Sequence, residues 1–158
     1  ISIYSLASNA WEIIDVLCNR EGIDSFSNDT RDHLPKNKDL KKDYINNPYR
    51  NFFKHADTDP NDTLTGFSDK QNDGLIFTAV EDYIRLEKTS PIEFQVFQLW
   101  YLATNNEKIS SKELNEIMEV IKVAFPNIEK LSRKNKKKMG KSVLKQELQT
   151  QPRNKENS

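Results

Sequence analysis

The sequence predicts an all-α protein, an irregular helical bundle of four or more helices that ends in a basic C-terminal tail. Three observations carry this. Apolar residues recur at spacings of three and four in several separate stretches; no stretch alternates apolar and polar residues as a half-buried strand does; and Gly22, Pro35, Pro48, Pro60 and Pro91 punctuate the chain between the periodic parts.

Taken in order, Ile3, Leu6, Ala7, Ala10, Ile13, Ile14 and Leu17 lie on one stripe with no Pro or Gly before Gly22, which predicts a helix that buries this face. Cys18 sits beside Leu17 and Ile14 on the apolar side and reads as a small buried hydrophobe, and Trp11 reads as core or interface. The chain opens at Ile1 already in a helical pattern, from which a preceding helix is expected. Residues 21–48 are polar and broken, with Leu40, Tyr44 and Ile45 spaced for a short helical piece. Beyond Pro48, residues 49–56 predict a short aromatic-rich helix and residues 57–62 a turn that Pro60 closes. Leu75, Ile76, Ala79, Val80, Tyr83 and Ile84 restore the helical period. Pro91 then opens a run with Ile92, Val96, Leu99, Trp100 and Ala103 on one stripe and Phe94, Phe97 and Tyr101 off it. A helix apolar nearly all round is either the centre of a domain or a dimer helix. A further helix follows an N-cap between Ser111 and Asn115 and carries Leu114, Ile117, Met118, Ile121, Ala124 and Phe125.

Charge divides the chain more sharply than hydropathy. Residues 129–158 hold ten Lys or Arg against three Asp or Glu, and residues 1–128 hold fourteen against twenty-one. The predicted organisation is a helical domain over residues 1–128 and a basic extension over residues 129–158, densest at Lys130, Arg133, Lys134, Lys136, Lys137, Lys138 and Lys141. Roughly the last 15–25 residues are expected to be mobile. No aromatic residue interleaves its lysines, so nucleic-acid binding through it is expected to be salt-sensitive and indifferent to sequence.

Composition excludes several classes. With 158 residues, 35% hydrophobic and 30% charged, the chain suits one compact domain. It holds no apolar run near the roughly 18–20 residues of a membrane span, so no membrane association is expected. A single cysteine excludes a disulfide framework and a zinc site built on several thiolates; the expected location is the reducing cytoplasm. The Rossmann, phosphate-loop, zincin and nucleophile-elbow patterns are all absent. No cofactor and no metal are expected.

Only two histidines can serve acid–base chemistry. His33 lies in a polar loop beside Pro35 and reads as incidental, whereas His55 follows Arg50 by five residues on the predicted aromatic helix, a spacing that keeps both within reach of one phosphate. The segment Arg50-Asn51-Phe52-Phe53-Lys54-His55 resembles the motif of the HEPN superfamily, all-helical domains whose ribonuclease members carry Arg, often followed by Asn, Asp or His, and then His. The resemblance implies a metal-independent, toxin-type endoribonuclease in which the motifs of two subunits face each other across a homodimer cleft. By that likeness His55 moves the proton of the 2′-hydroxyl or the leaving oxygen, Arg50 holds the scissile phosphate, and Asn51 and Lys54 are supporting donors, Lys54 to the phosphate. The longer phrase Asn51-Phe52-Phe53-Lys54-His55-Ala56-Asp57, with Asp59 beyond it, and the opening helix are also similar to a family of small bacterial helical proteins without an assigned reaction, over roughly residues 1–105.

The same residues admit other readings. Phe52 and Phe53 pack the helix, Lys54 and His55 face solvent, and Asp57 and Asp59 cap the turn or pair with Arg50 or Lys54. Asp57, Asp59 and Asn61 start a calcium-loop pattern, but Asp62 stands where it needs Gly and Ser68 where it needs Glu. His55, Asp57 and Asp59 form at most an open divalent-metal set. Two functional classes therefore stand beside each other. One is a ribonuclease acting on RNA. The other is a non-catalytic helical protein–protein interaction module, with the helix near Trp100 as partner face and the basic tail contacting nucleic acid or an acidic partner.

Overall fold

The computed structural model describes residues 2–50, 52, 61, 63, 65–105 and 114–150. Among these it is all-helical, with no strand: α1 (Ser2–Glu21), α2 (Phe26–Asp32), α3 (Leu40–Arg50), α4 (Lys70–Glu87), α5 (Ile92–Thr104), α6 (Leu114–Ala124), a 3₁₀ turn at Ile128–Lys130, and α7 (Arg133–Thr150). The contacts divide into two compact units, Ile1–Thr89 and Ser90–Ser158. The sequence drew its division at residue 128, where the charge changes sign, and the packing draws it at Thr89.

In the first unit α1 lies against α4 and α3, and α2 against α4. The core holds Tyr4, Trp11, Leu40, Ile45, Tyr49, Leu75 and Ala79. Gly22 ends α1 as the sequence predicts, at φ 65°, with the amide of Ile23 bonded to Cys18 O (2.9 Å) and that of Gly22 to Asn19 O (3.4 Å). This pair of bonds is a Schellman stop, which places the residue after the helix in the left-handed region.

The buried face of α1 differs from the predicted stripe. Tyr4, Ser8, Trp11, Asp15 and Cys18 are buried, whereas Ile3, Leu6 and Ile13 stay exposed. The rotation is set by polar tips that find partners: Tyr4 Oη donates to Ile45 O (2.8 Å) and Trp11 Nε1 to Ser27 Oγ (2.8 Å). Two large aromatic bodies with satisfied hydrogen bonds bury more area than the aliphatic side chains opposite them.

Two other elements depart from expectation. Helix α2 begins at Ser25, whose Oγ accepts the amide of Asn28 (3.0 Å), inside a stretch that reads as broken loop. Pro48 does not separate two elements: α3 runs through it as a π-helix to Arg50. Bonds spanning five residues place Leu40, Ile45 and Tyr49 on one face, and all three are buried.

In the second unit α5 is the central helix, packed by α6 and α7. Trp100 is buried (6%) in a cluster with Val96, Ala103, Ile121, Phe125 and Ile128, so its face is core within the chain and is not left open for a partner. The basic extension does not leave the body unpacked, because residues 133–150 are helical and Met139, Val143 and Leu144 pack against that cluster. The helical period of these three residues is sparse but sufficient once Trp100 meets them. Ile117 (39%), Val120 (53%) and Val123 (83%), by contrast, remain exposed on α6. Among the described residues no helix is long and apolar enough to cross a membrane.

Candidate functional site

The predicted catalytic residues fall at and beyond the end of α3. Arg50 is its last residue, described in its backbone only, and Asn51, Lys54 and His55 lie outside the described residues, as do Asp57 and Asp59 of the weighed metal set. Just before Arg50 the helix end is pinned. Tyr49 is buried, its Oη donates to Gly66 O (3.2 Å) and accepts from Gln71 Nε2 (2.9 Å), and its ring meets Tyr4 and Phe67 edge-on at 5.4 and 5.0 Å. The backbone from which the Arg50 side chain departs is thus tied to α1 and to the start of α4. Burial, and then the neighbouring Tyr49, push the Tyr4 hydroxyl up to about 12, so it stays a neutral donor. His33 is exposed, with Nδ1 2.7 Å from Asp29 O at the end of α2.

The most polar buried group in the first unit is one the sequence does not advertise. Asp82 on α4 has no exposed surface, and its Oδ1 accepts the amide of Ser27 (2.9 Å) while Oδ2 accepts the Ser27 hydroxyl. Ser27 Oγ in turn accepts from Trp11, and Cys18 Sγ donates to Asp82 O (3.7 Å). Burial raises the Asp82 carboxyl above the usual carboxylate range, against the hydrogen bonds from Ser27 that lower it. Burial likewise raises the Cys18 thiol, which makes it an inert packing residue. Beside this network Arg31 bonds Asp15 (2.7 Å), and Arg85 bonds Asp29 (2.8 Å) while lying over the Phe26 ring. The arrangement ties α1, α2 and α4 together. Its chemistry is structural. Among the described residues no cluster of three or more His, Cys, Asp or Glu is placed to hold a metal.

Beside the exposed apolar side chains of α6, two further surfaces stand out among the described residues. The outer face of α1 exposes Leu6 (69%), Ile13 (63%), Val16 (60%) and Ile3 (57%), with a shallow groove of about 420 Å³ along Asn9, Glu12, Ile13, Val16 and Leu17. The outer face of α7 exposes Lys134, Lys137, Lys138, Lys141 and Lys145. The sequence stripe predicts Ile3, Leu6 and Ile13 buried, and they are exposed, whereas Ala7 and Ile14 of the same stripe pack against the core. The lysines were legible as charge without a geometry. Set against protein-family models, curated proteins and solved structures, the chain matched nothing in any of the three comparisons.

Proposed function

We propose that this chain is a non-catalytic helical interaction module whose outer α1 face pairs with the same face of a second copy. One observation supports this above the rest: four large aliphatic side chains on α1 stay more than half exposed on a helix whose opposite face already fills a core. With Ala10 and Leu17 the face reads Ile3, Leu6, Ala10, Ile13, Leu17, alternating spacings of three and four as the seam of a coiled coil does. A two-fold interface sets one surface against itself, so a charged seam repels its own copy. This seam is neutral: residues 1–11 hold no Asp, Glu, Lys or Arg, and Glu12 is engaged by Lys41 of α3.

One helix pair is a small interface, below the roughly 1,200 Å² of stable complexes, so association is concentration-dependent. Sedimentation equilibrium tests it on the full chain. The wild type is expected to dimerise as concentration rises, and Leu6→Glu with Ile13→Glu to stay monomeric. Because both side chains are exposed, the double variant should keep its helicity and its stability within about 0.5 kcal/mol. A wild type that is monomeric throughout, or a variant that dimerises equally, removes the reading.

The competing proposal is the ribonuclease, and the pinning of Tyr49 favours it by fixing the backbone at Arg50. Its mechanism is internal 2′-hydroxyl attack, with His55 as proton carrier and Arg50 on the phosphate. Labelled RNA cut in excess chelator by the wild type, and left whole by a folded His55→Ala variant, would establish it. Equal cutting by both proteins, or by neither, would remove it.

A further inference from the structure

The structure fixes the rotation of α7, and that rotation collects its positive charge. On the inner side Trp100 Nε1 donates to Lys136 O (2.8 Å), a backbone carbonyl within the helix. At Gly140 an added Cβ would stand 2.9 Å from Trp100 Cδ1, so helix and indole are already as close as a glycine permits. Met139, Val143 and Leu144 join the same contact. With this side held, spacings of three, four and seven bring Lys134, Lys137, Lys138, Lys141 and Lys145 onto the opposite side, where all five are exposed. The stripe runs from Lys134 to Lys145, about 16 Å of helix. No Asp or Glu interrupts residues 130–146.

We propose that this lysine face of α7 binds the phosphate backbone of double-stranded nucleic acid without reading its sequence. A row of ammonium groups on a rigid helix matches a line of phosphates, because a duplex carries one negative charge per roughly 1.7 Å of its axis. Lysine is a point charge without the planar fork that reads a guanine edge, and the single arginine of α7, Arg133, is half-buried in its first turn. The helix also contains no aromatic residue, so it offers no platform for unstacked bases, and the duplex is favoured over the single strand. A membrane-surface helix needs a free apolar face beneath its lysines. Here the apolar residues of α7 are engaged by Trp100 and its neighbours, with Leu148 (47%) the large hydrophobe left exposed on the helix.

The test is fluorescence anisotropy of a short labelled DNA duplex with the full chain across a salt series. Each neutralised phosphate contributes about 0.9 to the slope of log affinity against log salt, so a slope of about −3 to −5 is expected, equal for duplexes of unrelated sequence. Changing Lys134, Lys138, Lys141 and Lys145 together to Gln should weaken binding at low salt by about a hundredfold or more and flatten the slope by about three to four. Gln is a good helix former, so circular dichroism should be unchanged. The same four positions changed to Arg should keep the affinity, which separates lost charge from lost fold. Lys36→Gln with Lys42→Gln, in the first unit, should change little. Binding that ignores the four Gln substitutions overturns the proposal, as do the absence of binding at low salt and tighter binding to phosphatidylserine vesicles than to the duplex.

Discussion

At the scale of single residues, Asp82 shows how a carboxyl without exposed surface stays compatible with a stable fold. It is held by two hydrogen bonds from Ser27, with Asp15 raising and Arg31 lowering its proton affinity from nearby. Because its folded pKa lies above its unfolded value, its contribution is fully present below the unfolded pKa and is lost as pH rises through the folded one. Stability is therefore expected to gain as pH falls from neutral toward the carboxylate range. In Asp82→Asn this gain should shrink, which urea unfolding at several pH values measures. Asp82→Ala strands the Ser27 amide and hydroxyl, and should cost about 2–4 kcal/mol, more than Asp82→Asn. None of this was legible in the sequence. Asp82 is one charged residue among many on a surface-like helical pattern, and its partner lies 55 positions away.

Gly140 belongs to the same scale. Gly→Ala within a helix usually gains about 1 kcal/mol of propensity. Here the new methyl meets an indole that cannot swing aside without losing its bond to Lys136 O. Overpacking of this kind costs about 1–3 kcal/mol, so Gly140→Ala is expected to leave stability unchanged or lower. A rise in the denaturation midpoint would show that α7 does not lie against Trp100.

At the scale of elements, the sequence located most helices and misjudged the buried face of α1. Local signals sufficed where the structure is local. Gly22 stopped α1, Pro91 preceded α5, and α5 became the centre of its unit because it is apolar nearly all round. Gly22→Ala meets no atom within 4 Å but must hold φ 65°, which costs an L-residue about 1–2 kcal/mol. A loss of that size in chemical denaturation is the expected result; Gly22→Asn, which tolerates this region better, should lose less. The candidate site was legible only as a motif. Arg50 and His55 stand out from spacing, while the anchoring of the Arg50 backbone depends on Gly66 and Gln71, 17 and 22 positions from Tyr49, which no spacing rule connects.

At the scale of the whole molecule, charge and packing divide the chain in the same sense. Residues 1–89 hold eleven Lys or Arg against sixteen Asp or Glu, and residues 90–158 hold thirteen against eight. The first unit is acidic and the second basic. Lys88 closes α4 in the left-handed region at φ 55° and is exposed with Thr89, immediately before the division. Limited trypsin digestion is therefore expected to cut after Lys88 and leave a resistant fragment ending there, which mass spectrometry identifies. Resistance of this bond under conditions that cut the exposed Lys36 and Lys38 would show that the connection is protected.

The sequence by itself determined the helical class, the main helix stops, the burial of Cys18, and the concentration of positive charge near the C-terminus, because each follows from local periodicity, capping or composition. Tertiary structure decided which side of α1 faces inward and which side of α7 faces out. Both helices carry apolar residues that local rules treat alike. The choice between faces was made by partners distant in sequence: Ile45 O and Ser27 Oγ for α1, and the Trp100 indole for α7. A buried polar tip that finds its hydrogen bond outweighs an aliphatic side chain that only prefers to leave water, and the surplus aliphatic face is what remains for another molecule.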